Sequence, residues 1–585
     1  LAEQKLTQFF YSFIEIHVVA LLELRVLEDH QWSFPLIQLL NFSELHESME
    51  TFALFVSPSV PPNSRPSMKQ PLPQTWNPMD GEKAMVVSNG WGNRFLLFSR
   101  RLRNGNVRKL AASFDVNDVG EMQPETAEEN WGSVHYTWPY KLRPRICILG
   151  GGFAGLYTAL RLESLKWDDD KRPQIILIDR SERFVFKPLL YELISGEVDV
   201  WEIAPRFTDL LASTSIQFVQ DRVKSIEPLD HVGSLGSRES GCSGNVELES
   251  GLLIQYDWLV LALGSETNLD IVPGASEFAF PFSTLEDACN VNYKLKELER
   301  NRFGKDDLIK VAIVGCGYSG VELAATLSER LQDRGIVQAI NSETTIIPTA
   351  PSGNRETALK VLNSRNVKLF LGYFVRSIQK RVKDDEETSE DDGADRYILN
   401  LQQVGKGSRY ETLEADMVLY TVGSRPPLPQ LDWFQLPLNS RGQVETSETL
   451  QVKGHPHIFA LGDSSALRDT TGQIFAPTAQ VAFQQADYTG WNLWAAINGR
   501  PLLPFRYQKL GEMMTLGRFD GAVSPSFFDG LTLEGSAGHY VRKLAYLMRL
   551  PTDEHRLKVG ISWFAKSAVD SVVSLQNTLA DIFAR

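Results

Sequence analysis

Cysteine is scarce in this sequence, and its placement excludes several kinds of site. The chain of 585 residues has four cysteines, Cys147, Cys242, Cys289 and Cys316, and no two of them form a CxxC pair. Neither a disulfide scaffold nor a metal site is therefore predicted. An enzyme that needs a reactive dithiol, such as a disulfide reductase, is excluded for the same reason.

Positive charge and long apolar runs are also in short supply. Lysine and arginine total 59 against 73 acidic residues, a net charge of −14. Surfaces that bind nucleic acid are basic, so no nucleic-acid partner is expected. No uninterrupted apolar run reaches 18 residues, which predicts that no helix spans a membrane. The length and the 43% hydrophobic content suit three or four globular domains.

What the sequence does contain is a glycine motif between a strand pattern and a helix pattern. The apolar run 146–149 leads into Gly150-x-Gly152-x-x-Gly155, and helix-period apolar residues follow. The three glycines permit a tight turn, close approach of a pyrophosphate, and close packing of helix on strand. Asp179 ends the next apolar run, 24 residues after Gly155, where a carboxylate can bind a ribose diol.

The same motif recurs 165 residues later as Gly315-x-Gly317-x-x-Gly320. Two fingerprints predict an α/β fold with two Rossmann-like dinucleotide-binding domains. In the second copy, Asn341 stands 21 residues after Gly320, where an acidic residue would bind the ribose of NADH. Losing that carboxylate makes NADPH acceptable, although Glu343 could restore the preference for NADH.

Three further apolar runs end in glycine. Runs 256–264 and 416–423 predict buried strands that close on Gly264 and Gly423, and run 457–462 ends in Gly462-Asp463. Asp463 is suited to bind a ribityl hydroxyl at a strand end. The segment 476–487 then opens a helix, with Pro477 near its start.

Outside these motifs, composition suggests loops and a targeting segment. Residues 1–142 are predicted to be a largely disordered extension, and Met49 could be the true start. Residues 51–74 are rich in Ser and Pro and lack Asp and Glu, as in an organelle transit peptide, with a Pro-rich linker as the alternative. Residues 231–245 and the acidic run 384–395, with its eight carboxylates, predict hairpin loops. A calcium loop is disfavoured for the acidic run because EF-hand spacing is absent.

The last segment, 505–585, differs in character. Its first part is predicted to offer an apolar, adaptable surface through Tyr507, Met513, Met514, Leu516 and Phe519. Two amphipathic helices should follow. The first carries a stripe of Tyr540, Val541, Leu544, Leu547 and Met548 beside Arg542, Lys543 and Arg549. The second carries Ile561, Phe564, Ala568, Val572, Leu575, Leu579 and Ile582. Such helices fit a membrane surface; packing on the protein's own core or on a second copy is the alternative.

Together these motifs resemble the two-domain FAD/NAD(P) flavoproteins, and within them the type II NAD(P)H dehydrogenases, the single-subunit alternative NAD(P)H:quinone oxidoreductases. The resemblance covers about 145–585, and the organelle-like N-terminus is similar to the plant plastid type-C branch of demethylphylloquinone reductases. It is carried by Gly150–Gly155, Phe186–Glu192, Gly315–Glu322, Ala460–Asp463 and, most specifically, Ala479–Gln485.

The resemblance implies hydride transfer from NAD(P)H to FAD, followed by two-electron reduction of a membrane quinone. It implies that Glu322 lies near the nicotinamide and that Gln480 and Gln484 line the quinone site. For Glu322 the alternative is simple complementarity to the helix dipole, and Gln485 could be an ordinary exposed helix residue. Lys187 could reach a pyrophosphate or a reduced flavin, or be a plain surface lysine.

The full set of predicted cofactor-binding residues is Gly150, Gly152, Phe153, Ala154, Gly155, Asp179, Arg180, Lys187, Gly264, Gly315, Gly317, Tyr318, Gly320, Glu322, Asn341, Gly423, Gly462, Asp463, Ala479 and Gln480.

The predicted organisation follows from these assignments. It comprises an N-terminal extension (1–142), an FAD-binding domain in two parts (143–305 and 431–504), an NAD(P)H-binding domain (306–430) and a membrane-association region (505–585). The resemblance implies plastoquinone, demethylphylloquinone or ubiquinone as acceptor. It also implies peripheral attachment to a thylakoid or plastoglobule, with a mitochondrial location in addition, and a homodimer is conceivable. A reductase of a soluble acceptor such as ferredoxin, and a non-catalytic redox sensor, remain alternatives.

Overall fold

The computed structural model describes residues 134–228, 242–381, 395–405, 409–429, 436–528 and 530–583, with only the helical backbone described for 569–583. The predicted transit segment, Met49 and nearly all of the acidic run therefore lie outside the described residues.

The strands are β1 Val134–His135, β2 Arg145–Leu149, β3 Gln174–Asp179, β4 Gln217–Gln220, β5 Val223–Pro228, β6 Gly244–Leu248, β7 Leu252–Tyr256, β8 Trp258–Leu261, β9 Glu266–Thr267, β10 Phe280–Pro281, β11 Ile309–Val314, β12 Gly335–Asn341, β13 Lys368–Leu371, β14 Tyr373–Lys380, β15 Tyr397–Gln403, β16 Tyr410–Ala415, β17 Met417–Tyr420, β18 Ser424–Arg425, β19 Gln451–Val452, β20 His455–Ala460, β21 Gly511–Thr515, β22 Gly521–Pro525 and β23 Leu533–Glu534.

The α-helices are α1 Phe153–Ser164, α2 Leu190–Ser195, α3 Val200–Ile203, α4 Phe207–Leu210, α5 Ala275–Phe278, α6 Leu285–Asn301, α7 Tyr318–Leu331, α8 Ser352–Ser364, α9 Ala479–Ile497, α10 Gly535–Arg549 and α11 Asp553–Phe583. Short 3₁₀ turns span Lys187–Leu189, Leu269–Ile271, Gln332–Arg334 and Gly462–Ser464.

The first large sheet has the order β19-β20-β8-β2-β3-β4, and every pair except β19–β20 is parallel. In β2, residues 146–149 are completely buried, as expected for a parallel strand with both faces covered. Strand β20 joins β8 although about 200 residues separate them in sequence. The sheet is thus built from two separate parts of the chain, and α9 packs along α1.

The second large sheet has the order β10-β17-β11-β12-β13 and is entirely parallel. Helix α7 starts directly after β11 and packs on β12. Strands β14, β15 and β16 form a separate antiparallel sheet. The acidic run lies in sequence between β14 and β15. The last residue of β14, Lys380, pairs with the first residue of β15, Tyr397. Most of the predicted loop 231–245 also lies outside the described residues. Its last two residues, Gly244 and Asn245, begin β6, which pairs with β5 in antiparallel fashion.

The beginning of the described chain corrects one prediction. Residues 134–142 were expected to belong to a largely disordered extension. Instead β1 pairs in parallel with β7, and the indole N–H of Trp138 donates to the backbone carbonyl of Gln255 at 2.8 Å. The apolar ring of Trp138 packs against a cluster of buried side chains that includes Cys147, Ile176 and Ile254. Aromatic burial therefore orders a segment that its mixed composition left unassigned.

The segment after residue 505 also differs from the prediction. Strands β21, β22 and β23 form a three-stranded antiparallel sheet, which was not expected. Met514 and Leu516 were predicted to lie on an adaptable surface, yet both are fully buried. Strand β21 lies against α7, and β22 lies against α8, so these two side chains fill the core rather than facing outward.

Helices α10 and α11 are present, but the prediction was wrong for two cations of α10. Arg542 and Lys543 were expected to lie beside an apolar stripe at a membrane surface. Arg542 is fully buried and pairs with Glu192 of α2, and Lys543 is largely buried and pairs with both Glu192 and Glu197, which follows α2. They face the protein interior and not a lipid surface. On α11, by contrast, Leu557, Ile561 and Phe564 are 47%, 54% and 40% exposed and share one helix face. Among the described residues, no helix is long and apolar enough to cross a bilayer.

Candidate active site

The first glycine fingerprint has the backbone geometry that its spacing predicts. Gly150 has φ of +101°, and a Cβ there would collide with the carbonyl oxygen of Ala262. A Cβ on Gly155 would collide with the carbonyl oxygen of Gly150, so α1 approaches β2 at backbone contact distance. Around Gly152 a Cβ would meet nothing within 4 Å. That free space lies at the N-terminus of a helix, where backbone N–H groups attract phosphate.

The second fingerprint repeats the geometry of the first. Gly315 has φ of +103°, a Cβ on Gly320 would collide with the carbonyl oxygen of Gly315, and a Cβ on Gly317 would meet nothing within 4 Å. Gly317 is the N-cap of α7 as Gly152 is the N-cap of α1. The chain therefore forms the same phosphate-sized cradle twice, and the residues present fit two dinucleotides.

Asp179 and Asn341 occupy equivalent positions in these two units. The Asp179 carboxylate accepts hydrogen bonds from the backbone N–H of Gly151 at 2.6 Å and of Ser181 at 2.8 Å. Burial raises the pKa of Asp179, against these two bonds and the nearby positive charges of Arg180 and Lys187. Asn341 accepts from the backbone N–H of Cys316 at 3.3 Å and donates to the carbonyl of Thr345 at 2.8 Å. The position predicted to bind ribose is thus a carboxylate in one unit and a neutral amide in the other.

The glycines that end the later strands lie at the same edge of their sheets. Gly264, Gly423 and Gly462 have φ of +69°, +75° and +70°. The Ser265 hydroxyl donates to the Asp463 carboxylate at 2.8 Å, which brings the end of β8 to the end of β20. A Cβ on Gly462 would lie 3.2 Å from the Cβ of Ala154. Gly264, Ala154, Gly462 and Asp463 are therefore grouped around the start of α1.

An aromatic cluster beside this group was missed from the sequence. The Phe153 ring lies 4.8 Å from that of Phe483, 5.2 Å from Phe186 and 5.4 Å from Phe184. Tyr157 completes the group, 4.4 Å from Phe483. These rings come from α1, α9 and the segment before α2, so only tertiary packing unites them. The one sequence signal was Phe at position 186 of the Phe186–Glu192 motif.

Glu322 lies on α7 in a buried site next to the end of β21, α2 and α10. It is 7% exposed, and its carboxylate accepts the backbone N–H of Thr515 at 2.9 Å. The Tyr191 hydroxyl contacts it as well and lies 2.8 Å from the Ser319 hydroxyl. Burial raises the pKa of Glu322 to about 7, against hydrogen bonds from Thr515 and Tyr191 and the charge of Arg542. At neutral pH this carboxyl can therefore give up or take a proton.

The glutamines of the most specific motif all have partners in the structure. Gln480 accepts from the Tyr507 hydroxyl at 2.5 Å and from the backbone N–H of Leu510, and its amide donates to the Gly511 carbonyl. Gln484 exchanges two hydrogen bonds with the backbone of Gln508, at 2.8 and 2.9 Å. Both side chains hold the segment 507–511 along α9.

Gln485 is not the ordinary exposed helix residue that was one interpretation of the sequence. It is 2% exposed, and its side-chain oxygen accepts the backbone N–H of Gly462 at 2.6 Å. It therefore fixes the Gly-Asp turn. Lys187 is exposed and begins a 3₁₀ turn near Asp179, while Ala479 and Tyr318 are the first residues of α9 and α7.

Comparison with known proteins agrees with this geometry. The model of the pyridine nucleotide-disulphide oxidoreductase family matches residues 144–486. A protein of Arabidopsis thaliana named alternative NAD(P)H-ubiquinone oxidoreductase C1, chloroplastic/mitochondrial, is 66% identical over 452 residues, 77% of this chain and 86% of the relative. The chain belongs to the type II NAD(P)H dehydrogenases.

Two further comparisons are with a second relative and with a solved structure. Demethylphylloquinone reductase NdbB of Synechocystis is 42% identical over 73% of this chain and 97% of its own length. Among solved structures, NDH2 of Plasmodium falciparum in complex with NADH aligns with a TM-score of 0.58 at 17% identity, covering 72% of this chain and 98% of that one; this likeness concerns the fold. None of the four cysteines of this dehydrogenase, all of which lie within the described residues, forms a disulfide.

The open cradles generate a pair of matched predictions. Gly152→Val and Gly317→Val each add a side chain where the protein leaves room, at φ of −73° and −72° that valine tolerates. Both variants should fold, because a Cβ at either position meets no protein atom within 4 Å, but each should block one pyrophosphate. We expect Gly152→Val to purify without flavin, and Gly317→Val to keep flavin and bind NAD(P)H at least about tenfold more weakly.

Absorbance spectra and nucleotide titrations measure this outcome, and each variant is the control for the other. Loss of flavin from Gly317→Val, or normal flavin content in Gly152→Val, would contradict the assignment of the two sites.

Proposed function

We propose that this protein is a single-subunit, FAD-dependent NAD(P)H:quinone oxidoreductase that does not pump protons. The observation that carries the proposal is the pair of matching cradles at Gly152 and Gly317. A buried acid, Glu322, lies on the helix that starts at the second cradle, and the segment 510–515 connects it to Gln480 of the Ala479–Gln485 helix start. Relatives named for reduction of ubiquinone and demethylphylloquinone support it. We assign FAD to the cradle at Gly152 and NAD(P)H to the cradle at Gly317.

Bound FAD would supply hydride acceptance from NAD(P)H and two-electron delivery to the quinone. The chain's own residues supply position and protons. Gly150, Gly155 and Asp179 would hold the adenosine end of FAD, and Gly264 and Asp463 the ribityl end. Arg180, Lys187, Phe153 and Ala154 lie around the same cradle, and Tyr318 and Gly423 around the other.

Quinone reduction also consumes a proton, and Glu322 is the group we assign to deliver it. Its carboxyl is buried, held by the N–H of Thr515, and has a pKa of about 7. Gln480 and Gln484 would line the quinone site, with their amides anchoring the wall formed by 507–511. The aromatic cluster around Phe483 gives that site an apolar side suited to a quinone ring.

The function is tested by spectroscopy of the purified protein. NAD(P)H should bleach the flavin band, and decyl-plastoquinone should restore it. Glu322→Gln removes the proton donor, so restoration by quinone should slow by at least about tenfold, while bleaching by NAD(P)H should persist. In the wild type the quinone step should decline as pH rises through about 7, because the carboxyl with the raised pKa then loses its proton.

Two results would point to the alternatives. A flavin that bleaches but ignores quinone would favour a soluble acceptor such as ferredoxin. Absence of flavin would leave a dinucleotide-binding sensor.

Asn341 supports use of NADPH as well as NADH. A neutral amide occupies the place where Asp179 puts a carboxylate in the other unit, so a 2′-phosphate meets no fixed negative charge there. Glu343 is exposed, and its backbone carbonyl accepts the N–H of Gly372.

Asn341→Asp should therefore raise the KM for NADPH by on the order of tenfold, through repulsion of the 2′-phosphate, with little change for NADH. Steady-state kinetics with both nucleotides measure this, and Glu343→Gln is the control. An equal loss with both nucleotides would show that Asn341 acts through folding alone.

We further propose that α11 binds a membrane surface. Leu557, Ile561 and Phe564 form an exposed apolar face, and Lys558 lies beside it with an exposed side chain. Both features are typical of interfacial helices. The chloroplastic/mitochondrial naming of the Arabidopsis relative supports a chloroplast location, with the mitochondrion as a second one. We propose a thylakoid or a plastoglobule as the plastid membrane.

Replacing Leu557, Ile561 and Phe564 together by serine should weaken binding to lipid vesicles at least about tenfold, because three apolar side chains no longer leave water. Vesicle sedimentation measures the effect, and Tyr293→Ser, which removes a 72% exposed ring on α6, is the control. Light scattering distinguishes a homodimer through the same face: a halving of the molecular mass with unchanged vesicle binding would contradict the membrane assignment.

A further inference from the structure

One short run of chain connects the two parts of the site to which we assign different ligands. We call residues 507–515, which end with strand β21, the strap. At its start the strap is held by α9, the helix that begins with the Ala479–Gln485 motif. At its end it is held by α7, the helix that begins at the second cradle. The strap therefore joins the proposed quinone site to the proposed NAD(P)H site.

The first half of the strap is fixed to α9 by the two glutamines that we assign to quinone. The Tyr507 hydroxyl donates to the side-chain oxygen of Gln480 at 2.5 Å, and the Gln480 amide donates to the carbonyl of Gly511 at 3.1 Å. Gln484 exchanges two hydrogen bonds with the backbone of Gln508. A displacement of this half of the strap must therefore move both glutamines or break their hydrogen bonds.

The second half of the strap is fixed to the NAD(P)H-binding domain. The Tyr318 hydroxyl donates to the Glu512 carboxylate, and the side-chain amide of Asn354 on α8 donates to the backbone carbonyl of Glu512 at 3.1 Å. The Glu322 carboxylate accepts the backbone N–H of Thr515 at 2.9 Å. Tyr318 and Glu322 stand one turn apart on the same face of α7, and this face carries the strap.

Gly511 forms the corner between the two halves. Its φ is +119°, and a Cβ there would lie 2.5 Å from the carbonyl oxygen of Ser524. Glycine is thus required both by the backbone conformation and by the close approach of the next strand. Strand β21 pairs with β22 along its whole length, from Gly511 to Thr515. The two halves of the strap are therefore connected by backbone held in a sheet, and a shift at one half is passed to the other.

Lys509 completes the contact at Glu512. Its ammonium lies 2.8 Å from the Glu512 carboxylate, which also accepts the Tyr318 hydroxyl. The Lys509–Glu512 pair has no net charge, so it does not repel the pyrophosphate that we assign to the start of α7. The bond between Tyr318 and Glu512 is therefore compatible with a bound nucleotide.

Tyr318 belongs to the turn to which we assign the pyrophosphate. It directly follows Gly317, the N-cap of α7, and the first N–H groups of a helix have no partner within the helix. A pyrophosphate accepts hydrogen bonds from such groups and thereby fixes the first turn. Tyr318 is fixed together with that turn.

We infer that Tyr318 and Glu512 are positioning residues for quinone, because they link occupation of the NAD(P)H cradle to the wall of the quinone site. The inference deepens the function proposed above and rests on it. A nucleotide that orders the first turn of α7 also orders the strap, so part of the entropy that quinone binding costs has already been lost. Quinone therefore binds more tightly in the presence of nucleotide, and by linkage the nucleotide binds more tightly in the presence of quinone.

Binding measurements on the flavin-loaded enzyme test this link without turnover. Oxidised enzyme, oxidised nucleotide and decyl-plastoquinone can be mixed without electron transfer, because none of them is a reductant. The quinone is titrated with and without saturating NADP⁺ or NAD⁺, and flavin fluorescence reports its binding. In the wild type we expect the Kd for quinone to be at least about fivefold lower with nucleotide. Tyr318→Phe keeps the ring and removes the hydroxyl, so its Kd should be the same with and without nucleotide.

The simpler role of Tyr318 is to dock β21 on α7, and the ratio of the two Kd values separates the two roles. Loss of a docking contact alone would raise both Kd values by the same factor and preserve the ratio. The matched control is Tyr373→Phe, which removes another tyrosine hydroxyl that donates to a glutamate, Glu411, at 2.9 Å in the antiparallel sheet. This variant should retain the wild-type ratio.

A wild-type Kd that does not respond to nucleotide, or a Tyr318→Phe enzyme with the wild-type ratio, would overturn the inference and leave the proposed function in place. A wild-type enzyme that neither binds decyl-plastoquinone nor is reoxidised by it would instead overturn the proposed function, and the inference with it. Should Tyr318→Phe not fold, Glu512→Ala removes the other partner of the same bond. It should abolish the ratio in the same way, and a retained ratio would contradict the link.

Discussion

The contact between the backbone of a helix and the end of the strand before it is the constraint on which this structure depends. At Gly155 and again at Gly320, any side chain would collide with the carbonyl of the first glycine of the motif. Absence of a Cβ lets α1 and α7 start directly over their sheets. Their free N–H groups then point to the same edge at which β8, β17 and β20 end. Everything that we assign to the cofactors is gathered at that edge, because parallel strands deliver their carboxyl ends together.

This constraint also explains why so much could be predicted from sequence. Glycine spacing, strand length and the position of Asp179 are local, and each of them reports on backbone geometry within about thirty residues. Two parallel sheets and the α/β class followed directly. Gly264 and Asp463 were predicted from the strands that end in them, and the structure groups both around the start of α1. The role of Gln480 came from the resemblance, and its place in a quinone site stays a prediction.

What the sequence did not disclose depends on partners that are distant along the chain. Arg542 was interpreted as part of a membrane-facing border, since a cation beside an apolar stripe is typical of an interfacial helix. Its partner Glu192 lies 350 residues earlier, and no local pattern links them. Met514 and Leu516 were misjudged for a similar reason, because burial under α7 and α8 is a property of tertiary packing. The ordered stretch around Trp138 likewise depends on β7, more than a hundred residues away.

The ion pairs that Arg542 and Lys543 of α10 make with Glu192 and Glu197 have a consequence for how the polypeptide is made. Until α10 arrives, Glu192 and Glu197 have no lysine or arginine to neutralise them in their buried position. The first large sheet also cannot be completed before β20 has been synthesised, because β20 pairs with β8. Synthesis runs from the N-terminus, so this half of the molecule can close only after the ribosome has released α10. A nascent chain that still lacks α10 therefore retains an open, hydrated flank, on which a chaperone can act.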